Sequence, residues 1–242
     1  MVNQTDPRLA YGRPATTAEG VVFDAGLRKY MLSVYNYMAS GVLLSGIVAL
    51  LFANSGMAAQ VFAQGGLLAW VLILAPLGFV MVLSFGINKL STPAAQGIFW
   101  AFAAVMGLSM STIFLTYTGT SIARMFFITA GAFAGLSLFG YTTKKDLSGF
   151  GTFLVMGLIG LIIASVVNIF LGSSVLQFAI SVIGVLIFAG LTAYDTQRIK
   201  NMYFQVAGSD FVGKAVVMGA LSLYLDFINM FMFMLQLFGN RE

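Results

Sequence analysis

Seven stretches of this sequence are long and apolar enough to cross a lipid bilayer, and that feature limits the possible folds more than any other. A helix needs about 20 largely apolar residues to traverse the hydrocarbon core. The runs that qualify are Tyr30 to Ala53, Gly66 to Ile87, Gly97 to Tyr117, Met125 to Tyr141, Gly151 to Leu171, Val175 to Ile199 and Ala215 to Phe238. They are continuous and lack the alternation of a barrel wall, so an all-α integral membrane protein of seven transmembrane helices is predicted. The tight connections leave no room for an extramembrane domain. Residues 1–29 are expected to form an N-terminal tail, helical from Val21 to Lys29, and residues 30–239 the seven-helix transmembrane domain. The tail is polar and lacks the basic and then apolar pattern of a cleaved signal peptide, so the first span is expected to do the targeting.

Composition narrows the chemistry. Only 8% of the residues are charged, against roughly 25% in a soluble domain, so a water-facing surface cannot be built. With no His and no Cys, the chain lacks the soft ligands for zinc, copper, haem or an iron–sulfur cluster and has no disulfide chemistry. No cofactor is expected, and any metal must be a hard cation held by oxygen. The pI of about 9.4 would suggest nucleic acid in a soluble protein. Here the bases lie in short loops and report topology, and the partner is the lipid bilayer. Arg8, Arg13, Arg28, Lys29, Lys89, Lys144, Lys145, Arg198, Lys200 and Lys214 fall on one side of the seven-span arrangement, and only Arg124 and Arg241 on the other. The positive-inside rule therefore places the amino terminus in the cytoplasm and the carboxyl terminus outside.

Tyr30, Tyr35, Trp100, Tyr117 and Tyr141 lie near span ends, where an amphipathic ring suits the headgroup layer. Gly131 and Gly135 have the four-residue spacing that lets helix backbones approach, and Pro76 is expected to kink the second span.

Six of the eight acids fall in tails or loops. Asp195 and Asp226 do not. A charge at the centre of a membrane helix costs about 2.5 to 3.5 kcal/mol on insertion scales, so such acids face the bundle interior and mark function. Asp226, midway through LSLYLDFINMF, carries the larger cost. For Asp195 the bland alternative is a helix-end ion pair with Arg198, and for Asp226 it is a hydrogen bond to Asn168 or Asn229. The two spans are antiparallel neighbours. With the sixth ending at Ile199, Asp195 would sit near the inner boundary and Asp226 about 15 to 18 Å further in, so their approach requires tilt or a longer sixth helix. Carboxylates brought together in a low-dielectric site cannot both ionise easily, which makes such a pair a proton sensor and, when ionised, an oxygen site for Ca²⁺.

Three segments carry a further signal: Gly140-Tyr141-Thr142-Thr143-Lys144-Lys145-Asp146-Leu147-Ser148, Tyr194-Asp195-Thr196-Gln197-Arg198-Ile199 and Leu223-Tyr224-Leu225-Asp226-Phe227-Ile228-Asn229. In that order the chain resembles the transmembrane Bax inhibitor motif family, in its bacterial branch, from about Tyr30 to Gly239. The resemblance implies a bundle with the last helix at its centre and a pH-sensitive Ca²⁺ leak gated by Asp195 and Asp226, with Tyr194, Tyr224 and Asn229 in support. It also implies a bacterial inner membrane. Some relatives carry an arginine in the second helix that latches one aspartate. This chain has none there, which leaves Lys89 or Arg198 as substitutes; a lysine offers a point charge without the bidentate fork. Bacterial relatives suggest an alternative function, modulation of a membrane-anchored ATP-dependent protease, in which residues 1–29 would matter. An intramembrane aspartyl protease is disfavoured, because Leu223 and Leu225 stand where those enzymes have glycines and no proline follows Pro93. A retinal pigment is disfavoured because the seventh run has no interior lysine. The protein is accordingly expected not to be an enzyme.

Overall fold

A computed structural model describes residues 18–241, with side chains from Ala25 onward. Most of the predicted tail, residues 1–17, lies outside the described residues. The described chain forms α1 (Ala18–Asn54), α2 (Met57–Gln64), α3 (Leu67–Gly86), α4 (Thr92–Met110), α5 (Ile113–Thr116), α6 (Gly119–Thr142), α7 (Ser148–Leu171), α8 (Ser174–Val206) and α9 (Val212–Phe238). Seven spans are long and apolar enough to cross a membrane, the third made of α4 and α5 together. The predicted helix from Val21 is the start of α1, which runs on without a break. The short α2 was not predicted; Gly56 (φ 75°) and Gly65 (φ 58°) bracket it in left-handed turns that favour glycine.

The sixth span departs most from expectation. α8 does not stop at Ile199 but continues through Lys200 to Val206, because a helix that leaves the hydrocarbon can carry polar residues. Arg198 and Lys200 therefore lie within a helix, and the α8–α9 connection shrinks to residues 207–211.

α9 is the hub, packed against α8, α1, α6 and α4. Val217, Ala220, Leu223, Tyr224 and Leu235 are wholly buried on it. The outer helices α3 and α7 present Leu67, Phe85 and Phe170 outward, as a chain solvated by lipid should. Tyr224 ties the hub to two other helices. Its hydroxyl donates to Ser45 Oγ at 2.6 Å, and Ser45 Oγ donates to the Ala103 carbonyl at 2.6 Å. The edges of Phe99 and Phe102 meet the same ring. Tyr224→Phe is expected to cost about 1 kcal/mol, the scale of one hydrogen bond between membrane helices, and so to lower the thermal midpoint in detergent.

Two anchoring and packing expectations are corrected. Tyr30 is not at a headgroup surface: it is 3% exposed and lies against Tyr203, with ring centroids 5.3 Å apart. Gly131 and Gly135 touch no neighbouring helix, since a Cβ at either would meet nothing within 4 Å. The glycine that brings α6 onto α8 is Gly140, where an added Cβ would collide with the Ala193 carbonyl. Gly131→Ala and Gly135→Ala should each change stability by no more than about 0.5 kcal/mol in thermal unfolding.

The α6–α7 loop is pinned to α8. Gln197 Nε2 donates to the Lys145 carbonyl at 2.8 Å, and its Oε1 accepts from Leu147 N at 2.9 Å. Lys200 Nζ donates to the Tyr141 carbonyl at 2.7 Å. Asp146 Oδ1 accepts from Ser148 N at 2.9 Å, opening α7, and the hydrogen bonds from Ser148 hold its carboxyl below the ordinary carboxylate range. A lowered folded value stabilises the fold above the unfolded pKa of about 3.9 and is lost as pH falls through the folded one. Asp146→Ala should therefore speed amide exchange at Ser148 near neutrality and make no difference in strong acid.

Candidate functional site: an aspartate cleft

Gly219 of α9 backs onto the Ile199 side chain of α8, where an added Cβ would stand 3.2 Å from Ile199 Cγ2, so these two residues are level. Asp195 lies four residues up α8 from that point and Asp226 seven residues up α9. At 1.5 Å per residue the carboxylates differ in height by about 4.5 Å, less than one turn, and not by the 15 to 18 Å expected from a sixth span ending at Ile199. The longer α8 removes the obstacle to their approach.

Both aspartates line one cleft of about 740 Å³ between α3, α4, α7, α8 and α9. Asp226 is 4% exposed, and its Oδ2 is buried without a hydrogen-bond partner. The predicted alternatives for Asp226 are occupied elsewhere: Asn229 Nδ2 donates to the Leu225 carbonyl at 2.8 Å, and Asn168 Nδ2 to Gln177 Oε1 at 3.1 Å. Asp195 does have the predicted partner, with Arg198 Nη1 at 3.8 Å from its Oδ1. Arg198 is 58% exposed, so that pair is loose and screened.

The surroundings are uneven. Toward the cytoplasm, Tyr194 and Arg198 belong both to the cleft and to a separate polar hollow of about 370 Å³ lined by Ser148, Gln197, Asn201 and Gln205. A smaller cavity of about 190 Å³ lies beneath Asp195 and Ser222, bounded by Ile87, Met202 and Phe211. Toward the outside the cleft is lined by Phe233 and Phe188, which stack with ring centroids 6.0 Å apart. Above it Gln177 Nε2 donates to Gln236 Oε1 at 3.0 Å, and Ser181 Oγ donates to the same oxygen at 3.0 Å. The cleft thus adjoins a polar hollow on its cytoplasmic side and ends among aromatic and amide side chains on the other. Its lateral wall, α3, packs mainly on α4, and Pro76 of α3 faces the cleft. That proline cannot bond the Leu72 carbonyl, which weakens the helix at cleft height.

Of the sequence-predicted residues, Asp195, Asp226, Arg198, Tyr194 and Asn229 meet at this cleft. Tyr224 does not: two residues before Asp226 it points to the opposite side of α9, into the Ser45 cluster. Lys89 does not either, standing exposed in the turn after α3. Ser222, Pro76 and Ser165 line the cleft and were missed; Ser222 had a signal, being one helical turn before Asp226 on the same face.

A bundle of seven described spans with two carboxylates lining one cleft, that of Asp226 buried and that of Asp195 half-buried, defines an α-helical membrane protein with an acidic interior site. Residues 27–242 match the family described as Inhibitor of apoptosis-promoting Bax1, and the chain belongs to this Bax inhibitor-1 family. It is 48% identical over 220 residues to the inner membrane protein YbhL of Escherichia coli K12, covering 90% of this chain and 94% of that one. It is 48% identical over 228 residues to an uncharacterized protein of Rickettsia prowazekii (94% and 96% covered). A further relative is an uncharacterized membrane protein of Streptococcus pyogenes, 37% identical over 221 residues, with 90% and 96% covered. The chain is a multi-pass membrane protein of the bacterial inner-membrane type.

Proposed function

We propose that the protein is a pH-sensitive Ca²⁺ leak of the membrane, gated by Asp195 and Asp226. The observation that carries this reading is the Asp226 carboxylate, buried midway along α9 with an oxygen that no donor satisfies, lining a cleft it shares with a second carboxylate. Deprotonation makes the cleft negative and draws in a cation from the polar cytoplasmic hollow; protonation neutralises it. Flux therefore rises with pH. Two carboxylates, with Ser222 and Asn229 as neutral oxygens, form a donor set short of the six to eight oxygens that Ca²⁺ takes when held firmly, which suits an ion in transit. Arg198 is the local latch at 3.8 Å from Asp195. Movement of α3 against α8 and α9, hinged where Pro76 weakens it, opens the cleft past Phe188 and Phe233.

The test is Ca²⁺ entry into liposomes containing the purified protein, from pH 5 to pH 8. Entry above that of empty liposomes, increasing with pH, is the expected result. No entry at any pH would sink the leak. Attention would then pass to the protease-partner reading, tested by co-purification of a membrane-anchored ATP-dependent protease before and after removal of residues 1–29.

A further inference from the structure

Away from the aspartates, α1 and α6 both lean on α9 and leave a groove of about 640 Å³ between their cytoplasmic ends. Its walls are Leu32 and Tyr35 of α1 and Ala134 and Leu138 of α6, with Arg28 and Tyr141 at the mouth. From Arg28 to Tyr35 is seven residues of helix, about 10 Å, so the groove runs from the inner membrane surface most of the way to the midplane, which lies about 15 Å in. A gap this apolar at that depth takes hydrocarbon, because the hydroxyls of Tyr35, Ser137 and Tyr141 are few among walls that otherwise offer water no partner. A peptide segment would bring backbone groups that the groove cannot satisfy.

The mouth is cationic. Arg28 is exposed and makes no ion pair with a described residue, and Lys29 follows it. Lys200 is held against the Tyr141 carbonyl at 2.7 Å and over the Tyr141 ring at 4.9 Å, and Lys144 and Lys145 come just after α6 ends. The nearest described acid on α6's loop, Asp146, is turned to the Ser148 amide. The occupant must therefore be apolar along its length and anionic at its inner end. We propose that this groove binds an anionic phospholipid of the cytoplasmic leaflet, one acyl chain lying between α1 and α6 and the phosphate at Arg28.

The test uses chain-brominated lipids, which quench a nearby tryptophan. The reporter carries Trp70→Phe, Trp100→Phe and Leu138→Trp; the control carries Trp100→Phe alone, leaving Trp70, 60% exposed, as its fluorophore. In phosphatidylcholine vesicles with a minor fraction of brominated lipid, the reporter should be quenched by brominated phosphatidylglycerol with about a fivefold preference over brominated phosphatidylcholine, the selectivity one basic side chain gives at an anionic headgroup. Adding Arg28→Gln should bring that ratio to about one, and the control should show no preference. Equal quenching by both lipids with Arg28 present would overturn the proposal, as would a preference that survives Arg28→Gln. Relief of quenching by an equal mole fraction of oleate would overturn it in favour of a free fatty acid. If the reporter does not fold, native mass spectrometry of the otherwise unaltered chain decides: one phosphatidylglycerol retained, and lost in Arg28→Gln, is expected. No retained lipid, or equal retention by both proteins, would overturn the proposal.

Discussion

Replacing Asp226 with Asn flattens the pH profile of Ca²⁺ entry, so that the ratio of flux at pH 8 to flux at pH 5 falls to about one. The substitution keeps the side-chain volume and removes the charge. Attraction between unit charges 4 Å apart is about 4 kcal/mol at an effective dielectric constant of 20, and more for a divalent ion. A tenfold change in rate needs only about 1.4 kcal/mol, so a loss of at least about tenfold at pH 8 is the expected outcome. Folding should survive, because Asp226 Oδ2 has no hydrogen bond to lose. Asp195→Asn acts through a different route: it releases Arg198, now 3.8 Å away, as an unbalanced positive charge at the cytoplasmic mouth of the cleft. It should lower flux by less and retain part of the pH dependence. An Asp226→Asn protein whose profile matches the wild type would refute the sensor, whatever Asp195→Asn did.

The second large effect concerns folding. Gly140→Val should cost about 3 kcal/mol, the upper end for overpacking, and leave little monodisperse protein after extraction in mild detergent. A Cβ at this position would collide with the carbonyl of Ala193, and a backbone atom cannot swing aside as a side chain can. Pushing α6 off α8 there would also break the Ser137–Thr196 hydrogen bond of 3.0 Å and the Lys200 contact to the Tyr141 carbonyl. Gly135→Val, five residues earlier and facing lipid, serves as the control, and similar midpoints for the two variants would mean that the α6–α8 contact is not close.

Hydropathy made the spans legible, since a length of about 20 apolar residues is the bilayer's own requirement. It could not show where α8 stops, because the bilayer no longer filters residues once a helix has left it, and Lys200 to Val206 look like a loop by polarity alone. That one boundary moved Asp195 by about two turns relative to the cytoplasmic end of its helix. Asp226 stood out because its cost is local to its own helix. Tyr224 was harder: its motif neighbours are cleft residues, but a two-residue step on a helix turns through about 200°, toward Ser45. Helix contacts depend on which face meets which neighbour, so the spacing of Gly131 and Gly135 signalled an approach that Gly140 makes instead. Lys89 was placed near the aspartates by depth; the turn after α3 directs it to solvent.

The helix at the hub is also made after the six other described spans. Until α9 leaves the ribosome, the six earlier spans are a shell with no centre: Ser45 has no Tyr224 to meet, and Phe99 and Phe102 border a space only lipid or an insertion factor can fill. The shell cannot close early without shutting out a helix that must carry a carboxylic acid into it and deliver its far end to the opposite face. The core of the described bundle is therefore completed only when α9 takes its place among the six earlier spans.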